Sequence, residues 1–155
     1  MKNQEIYQRD PASRRLVNEG VASVNDLKEE VLRYELETFV CDGQYQKGTD
    51  DIVQTFLDNV RRGSSQQPGV WVSGFFGSGK SHLVKMLQAL WCNTSFQDGA
   101  TALGITTLPQ TTQELFKELG IEARRHGGLH AASGTLKAND DSNSVRSALL
   151  AIIFK

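Results

Sequence analysis

The run Gly74-Phe-Phe-Gly-Ser-Gly-Lys-Ser81 matches the pattern G-x-x-x-x-G-K-[ST] and constrains this chain more than any other feature. Its glycines let the backbone curl so that successive N–H groups face one concavity. A helix starting near Lys80 aims its unpaired N–H groups and positive dipole end at the same point. Such a concavity holds phosphate. Lys80 is placed to reach the β- and γ-phosphates of a nucleotide, and the Ser81 hydroxyl to hold Mg²⁺. The candidate nucleotide-binding residues are therefore Gly74, Phe75, Phe76, Gly77, Ser78, Gly79, Lys80, Ser81 and His82, with Ser81 also the metal residue. His82 reads as a helix-surface residue, with contact to an α-phosphate as its alternative. A ligand-free glycine-rich turn is the alternative for the whole run.

The flanks fit a strand-loop-helix unit. Gly69-Val-Trp-Val-Ser73 is a short β-rich run between Pro68 and Gly74 and reads as a buried strand. After the loop, Leu83, Val84, Leu87, Leu90 and Trp91 fall on one helical face. Upstream, residues 1–24 are polar, with a turn at Arg9-Asp10-Pro11. Spacing predicts a helix from Asp26 through Leu27, Val31, Leu32, Leu36, Phe39 and Val40, stopping near Cys41-Asp42-Gly43. A second helix is expected with Thr49 as its cap, Asp50 and Asp51 in its first turn, and Ile52, Val53, Phe56, Leu57 and Val60 as its stripe. Arg61, Arg62 and Gly63 end it, and 64–68 is a polar loop. Downstream, 93–109 reads as irregular, and a short helix is capped by Thr111 with Glu114 and closed by Gly120. Leu129 to Leu136 is expected as a second strand and 137–143 as a loop. A helix from Ser144 carries Val145, Ala148, Leu149, Ile152 and Ile153.

ATP is favoured over GTP, because no Asn-Lys-x-Asp element follows; Lys137-Ala-Asn-Asp140 is not that pattern. Hydrolysis would further need a Walker B strand, an apolar run ending in an acid that holds Mg²⁺. Ala148 to Phe154 ends in Lys155, and Leu129 to Leu136 meets acids only at Asp140 and Asp141. No catalytic residue is therefore assigned in this segment. The expected fold is α/β: an N-terminal helical segment over 1–63, then the first part of a P-loop NTPase core over 64–155, cut before Walker B. Ile152, Ile153 and Phe154 would then lack a sheet to cover them, which favours self-association.

Bulk properties narrow the class. With 17 Lys plus Arg against 18 Asp plus Glu the net charge is −1, which offers no electrostatic footprint for DNA. At 39% hydrophobic and 23% charged residues the chain reads as globular. The first residues hold no apolar leader core, and no apolar stretch is long enough to span a bilayer. Cys41 and Cys92 form no metal or disulfide pattern, so a reduced cytoplasmic setting is expected. His126 and His130 have metal-ligand spacing, but Gly127 and Gly128 break any helix between them. Arg14-Arg15, Arg61-Arg62 and Arg124-Arg125 read as solvated or helix-terminal pairs, with an arginine finger as alternative. Tyr7 and Tyr45 read as packing residues, with adenine contact as alternative. Of Phe75 and Phe76, one is expected to pack under the loop and the other to face a further domain.

Residues 6–11 (Ile-Tyr-Gln-Arg-Asp-Pro), 16–21 (Leu-Val-Asn-Glu-Gly-Val) and 34–45, with 69–86 around the loop and Gly127 to Leu136, resemble the opening of the P-loop protein family of BREX bacteriophage-exclusion systems (BrxC/PglY). The resemblance covers essentially the whole chain and is most specific around the loop. It implies an AAA/ASCE-like ATPase, much longer than this chain, that uses ATP and Mg²⁺ in the cytoplasm. It also implies other BREX components as partners, a DNA methyltransferase and a phosphatase-like protein among them, with a homo-oligomer possible. Gly74, Gly77, Gly79, Lys80 and Ser81 carry over as binding residues. This segment alone is expected to bind ATP without turning it over. The alternative is a truncated, non-catalytic interaction module that docks on defence-system partners.

Overall fold

The computed structural model describes residues 28–63, 66, 69–134 and 145–154. The described chain is helical, with α1 (Glu29–Thr38), α2 (Gly43–Arg61), α3 (Lys80–Trp91), α4 (Ala102–Ile105), α5 (Gln110–Arg125) and α6 (Val145–Ile153). The segments 1–24, the Asp26–Leu27 helix start, most of 64–68, and 135–144 lie outside the described residues, and with them Tyr7, Arg14, Arg15, Asp140 and Asp141.

The α/β expectation is overturned. Among the described residues no strands pair, and the sole bridge is an antiparallel one between Ser95 and Thr101. Residues 69–73 are neither helical nor laddered, and Trp71 is 90% exposed. Residues 129–134 likewise form no ladder. The physical reason is that a β-rich composition favours a pleated, half-buried surface and needs a neighbouring strand to make one. Among the described residues the two candidate strands do not pair with each other. Helix-on-helix packing buries the core instead.

That core joins Leu32, Leu36, Phe39 and Cys41 to Val53 and Leu57 of α2, and to Met86, Ala89 and Leu90 of α3. Phe96, Ala102 and Leu108 close it from the segment after α3, and Phe116 and Leu119 from α5. Helices α2 and α5 run against each other. Their polar seam includes Thr112 Oγ1 donating to Asp50 (2.6 Å), Gln46 Nε2 donating to Thr111 (3.1 Å), and an Arg61–Glu118 ion pair.

Helix boundaries shift where side chains find tertiary partners. α2 begins at Gly43 rather than Thr49, because Tyr45 and Gln46 are tied to the 74–81 loop and to α5. Thr49 is buried beside the Cys41 thiol instead of capping. α5 runs through Gly120, whose helical cost of about 1 kcal/mol is outweighed by burial of Phe116 and Leu119. Within 93–109, Thr101 caps the short α4 by accepting from Gly104 N–H (3.3 Å). Gly63 ends α2 as its sequence implies, with φ +63°. No helix among the described residues is long and apolar enough to cross a membrane.

The buried face of α3 differs from its apolar stripe. Lys85 is buried with Met86, Ala89 and Leu90, while Val84 is exposed. Lys85 Nζ lies 2.6 Å from Glu35 Oε2 of α1, and the two side chains are 1% and 3% exposed. His82, one turn earlier, packs edge-on against Phe39 with centroids 5.7 Å apart. Burial, and secondarily the Lys85 charge, hold the His82 pKa below its usual value, with Glu35 opposing. Neutral His82 is therefore the folded form near pH 7.

Two outcomes test this cluster. Lys85→Met leaves Glu35 buried and uncompensated, at an expected cost of about 3–5 kcal/mol, and adding Glu35→Leu recovers most of it. Urea denaturation of both variants checks this, and a single variant as stable as wild type would contradict it. For His82 the folded pKa lies below the unfolded value of about 6.5, so the unfolded chain takes up its proton first as pH falls. Its contribution is complete above about pH 6.5 and is lost as pH drops towards the folded pKa. Thermal melts should show that loss, flattened in His82→Gln; identical pH profiles would rule it out.

Candidate functional site

The loop from Gly74 to Ser81 leaves the unpaired 69–73 arm and feeds directly into α3, whose first residue is Lys80. Two of its glycines carry the curl. Gly77 and Gly79 both take φ +79°, the left-handed region where a side chain is strained. Gly79 is the residue before the helix, and its carbonyl accepts from Leu83 N–H (2.9 Å) to open α3. A tight turn closes the loop tip, with Ser78 N–H donating to the Phe75 carbonyl (3.2 Å). Gly74 faces Ser78 so closely that a Cβ there would lie 2.8 Å from Ser78 Oγ.

Lys80 does not extend into solvent. Its ammonium donates to the carbonyls of Gly74 (2.9 Å) and Phe75 (2.7 Å), with Ser78 Oγ at 3.4 Å. The charge is thus gathered over the loop's own backbone, beside the helix start. Ser81 stands exposed on the first turn of α3. An ammonium and the orphan N–H groups of a helix start converge here, a combination suited to an anion.

The residues offered by the sequence divide into two groups. Gly74, Gly77, Ser78, Gly79, Lys80 and Ser81 form one continuous loop and first helical turn. His82 forms the second, half-buried on the same first turn of α3 with its ring edge-on to Phe39. Phe75 and Phe76 are 91% and 99% exposed, which corrects the expectation that one packs beneath the loop. The reason is the same as for Trp71, since among the described residues no sheet lies under the loop to receive a ring.

Two contacts around the loop are not legible in the sequence. Tyr45 of α2 reaches the loop and donates from its hydroxyl to the Ser78 carbonyl (2.7 Å). Glu35 anchors α3 through Lys85, below the loop. The sequence reads Tyr45 as a packing residue or an adenine contact, and no spacing pairs it with Ser78, 33 positions away. For Lys85 the available signal was its place one turn after Ser81, on the face shared with Met86 and Ala89.

Metal chemistry rests on little side-chain help. No group of three His, Cys, Asp or Glu side chains converges among the described residues. Of the loop's own side chains, the Ser81 hydroxyl is the one carried on the first turn of α3 and exposed to solvent. His126 ends α5 near Glu122 (3.9 Å), and Gly127 and Gly128 with φ +86° and +113° separate it from His130. Arg61 pairs with Asp58 and Glu118, and Arg125 with Glu122 (2.8 Å), so both serve helix ends. Both cysteines are free thiols, Cys41 buried and Cys92 exposed.

No protein-family model matches the chain and no solved structure matches it, so its own residues and geometry carry the functional reading.

Proposed function

We propose that the 74–81 loop holds the phosphates of ATP together with Mg²⁺. In this reading the chain is the nucleotide-binding N-terminal part of a cytoplasmic BREX-type phage-defence ATPase, as its sequence resemblance implies. One observation carries the proposal: α3 starts at Lys80 straight out of a loop bent by left-handed Gly77 and Gly79, with the Lys80 ammonium gathered over that loop.

Each residue then has a physical task. Lys80 exchanges two neutral carbonyl acceptors for phosphate oxygens, and bonds to a charged acceptor are roughly twice as strong. The N–H groups of Gly77, Gly79 and Lys80 and the α3 dipole hold the rest of the negative charge. The Ser81 hydroxyl contributes one oxygen to the metal. ATP supplies the phosphoanhydride bond, but turnover needs a positioned acid and water, and no such acid is assigned in this sequence. The role of this segment is therefore binding.

A second reading has its own support. Trp71, Phe75 and Phe76 are large aromatics standing in solvent around the loop. Aromatics of this size are the usual anchors of protein interfaces. In this reading the segment is a non-catalytic module that docks on another copy, or on a methyltransferase or phosphatase-like component of the defence system. A net charge of −1 gives no support to DNA as the partner.

Calorimetric titration of MgATP into the chain and its Lys80→Ala variant tests the first reading. Wild type should bind weakly and the variant more weakly still, with a stability change of about 0.5 kcal/mol or less. Phosphate release should sit at background for both, far below the typical enzyme range of about 1 to 10³ s⁻¹. Equal affinities would contradict the phosphate site. Turnover lost in the variant would mean that a catalytic acid lies within these residues.

A further inference from the structure

Tyr45 is set against the back of the 74–81 loop in an arrangement that packing alone does not require. Its hydroxyl donates to the Ser78 carbonyl at 2.7 Å. A Cβ on Gly79 would collide with that same hydroxyl, so the absence of a side chain at 79 makes room for it. The ring is held edge-on by Phe39, centroids 6.3 Å apart, and Phe39 also braces His82. Tyr45 sits in the first turn of α2, whose start is further fixed by Gln46 on Thr111.

We infer that Tyr45 is a positioning residue of the loop, orienting the Ser78–Gly79 peptide so that its N–H faces a bound phosphate; this rests on the phosphate-site reading above. The argument is geometric. The peptide joining Ser78 to Gly79 is planar and trans, so its C=O and its N–H point in opposite directions. Tyr45 fixes the carbonyl outward, towards α2. The Gly79 N–H is thereby turned to the opposite side of the peptide, away from α2. Glycine at φ +79° rotates freely enough to lose that orientation without an external hold. The hydrogen bond restricts that freedom before any ligand arrives, and preorganisation of this kind appears as affinity.

The same geometry argues against adenine stacking. The ring is half-buried with its edge contact to Phe39, and its hydroxyl is already committed to Ser78. Its influence should reach the phosphates rather than the base.

Tyr45→Phe removes the hydroxyl and keeps the ring. The affinities of the full chain for inorganic tripolyphosphate, MgATP and MgGTP, with melting temperatures in the absence of ligand, test the inference. Tyr45→Phe should weaken all three ligands by a similar factor, up to about tenfold, the scale of one hydrogen bond. Its Tm should stay close to wild type, because the contact with Phe39 remains. Tripolyphosphate affinity is the readout that a purely structural hydroxyl would leave unmoved. Unchanged tripolyphosphate binding with weakened ATP would overturn the inference in favour of base contact. The Lys80→Ala variant separates the failures. If it loses tripolyphosphate while Tyr45→Phe binds like wild type, the Tyr45 role falls and the phosphate site stands. If wild type binds no tripolyphosphate, or Lys80→Ala binds it equally, both fall.

Discussion

The ion pair between Lys85 and Glu35 is the contact on which the placement of the loop depends. It joins the middle of α3 to the middle of α1 with both side chains withdrawn from water. Two desolvated charges are stable only when they stay together, so the pair fixes where α3 can lie. Phe39, which follows α1, lies against both His82 and Tyr45. The first turn of α3 and the first turn of α2 therefore share one aromatic support. The pair adds little net stability compared with a well-packed apolar equivalent. What it contributes is position.

The loop is supported on one side and exposed on the other. Tyr45 holds the Ser78 carbonyl from the α2 side, and Leu83 N–H binds the Gly79 carbonyl from the helix side. Phe75, Phe76 and Ser81 face solvent. The Lys80 ammonium rests on the Gly74 and Phe75 carbonyls, which gives its charge partners without neutralising it. Stacked this way, the loop keeps a cation, helix N–H groups and left-handed glycines together on one short stretch of chain. Trp71, Phe75 and Phe76 stand exposed, and among the described residues no strand lies beside the 69–73 arm.

The legible parts of the sequence were those governed by local chemistry. The glycine-lysine-serine run marked the loop and the start of α3, and the spacing of Leu32, Leu36, Val53 and Leu57 marked the inner faces of α1 and α2. Gly63 marked the end of α2. Tertiary partners overrode local signals elsewhere. Thr49 reads as a cap until its burial beside Cys41 is seen, and Gly120 reads as a stop until Phe116 and Leu119 hold the helix across it. The strand expectation for 69–73 and 129–136 failed because β-rich composition names a preference that only a neighbouring strand can realise, and 135–136 lie outside the described residues. Lys85 was hidden by its charge, since a lysine is read as exposed unless its partner on another helix is known. Tyr45 was hidden by distance along the chain.

Amide NMR of the isotopically labelled chain, titrated with MgATP, tests the central claim most directly. If the 74–81 loop is the phosphate site, the largest shifts should fall on the N–H signals of Gly77, Ser78, Gly79 and Lys80. Smaller shifts should follow at Ser81 and along the first turn of α3. Signals of α5 and α6 should stay in place. Shifts centred instead on α5 or α6, or none at the loop at concentrations that saturate the chain, would contradict it.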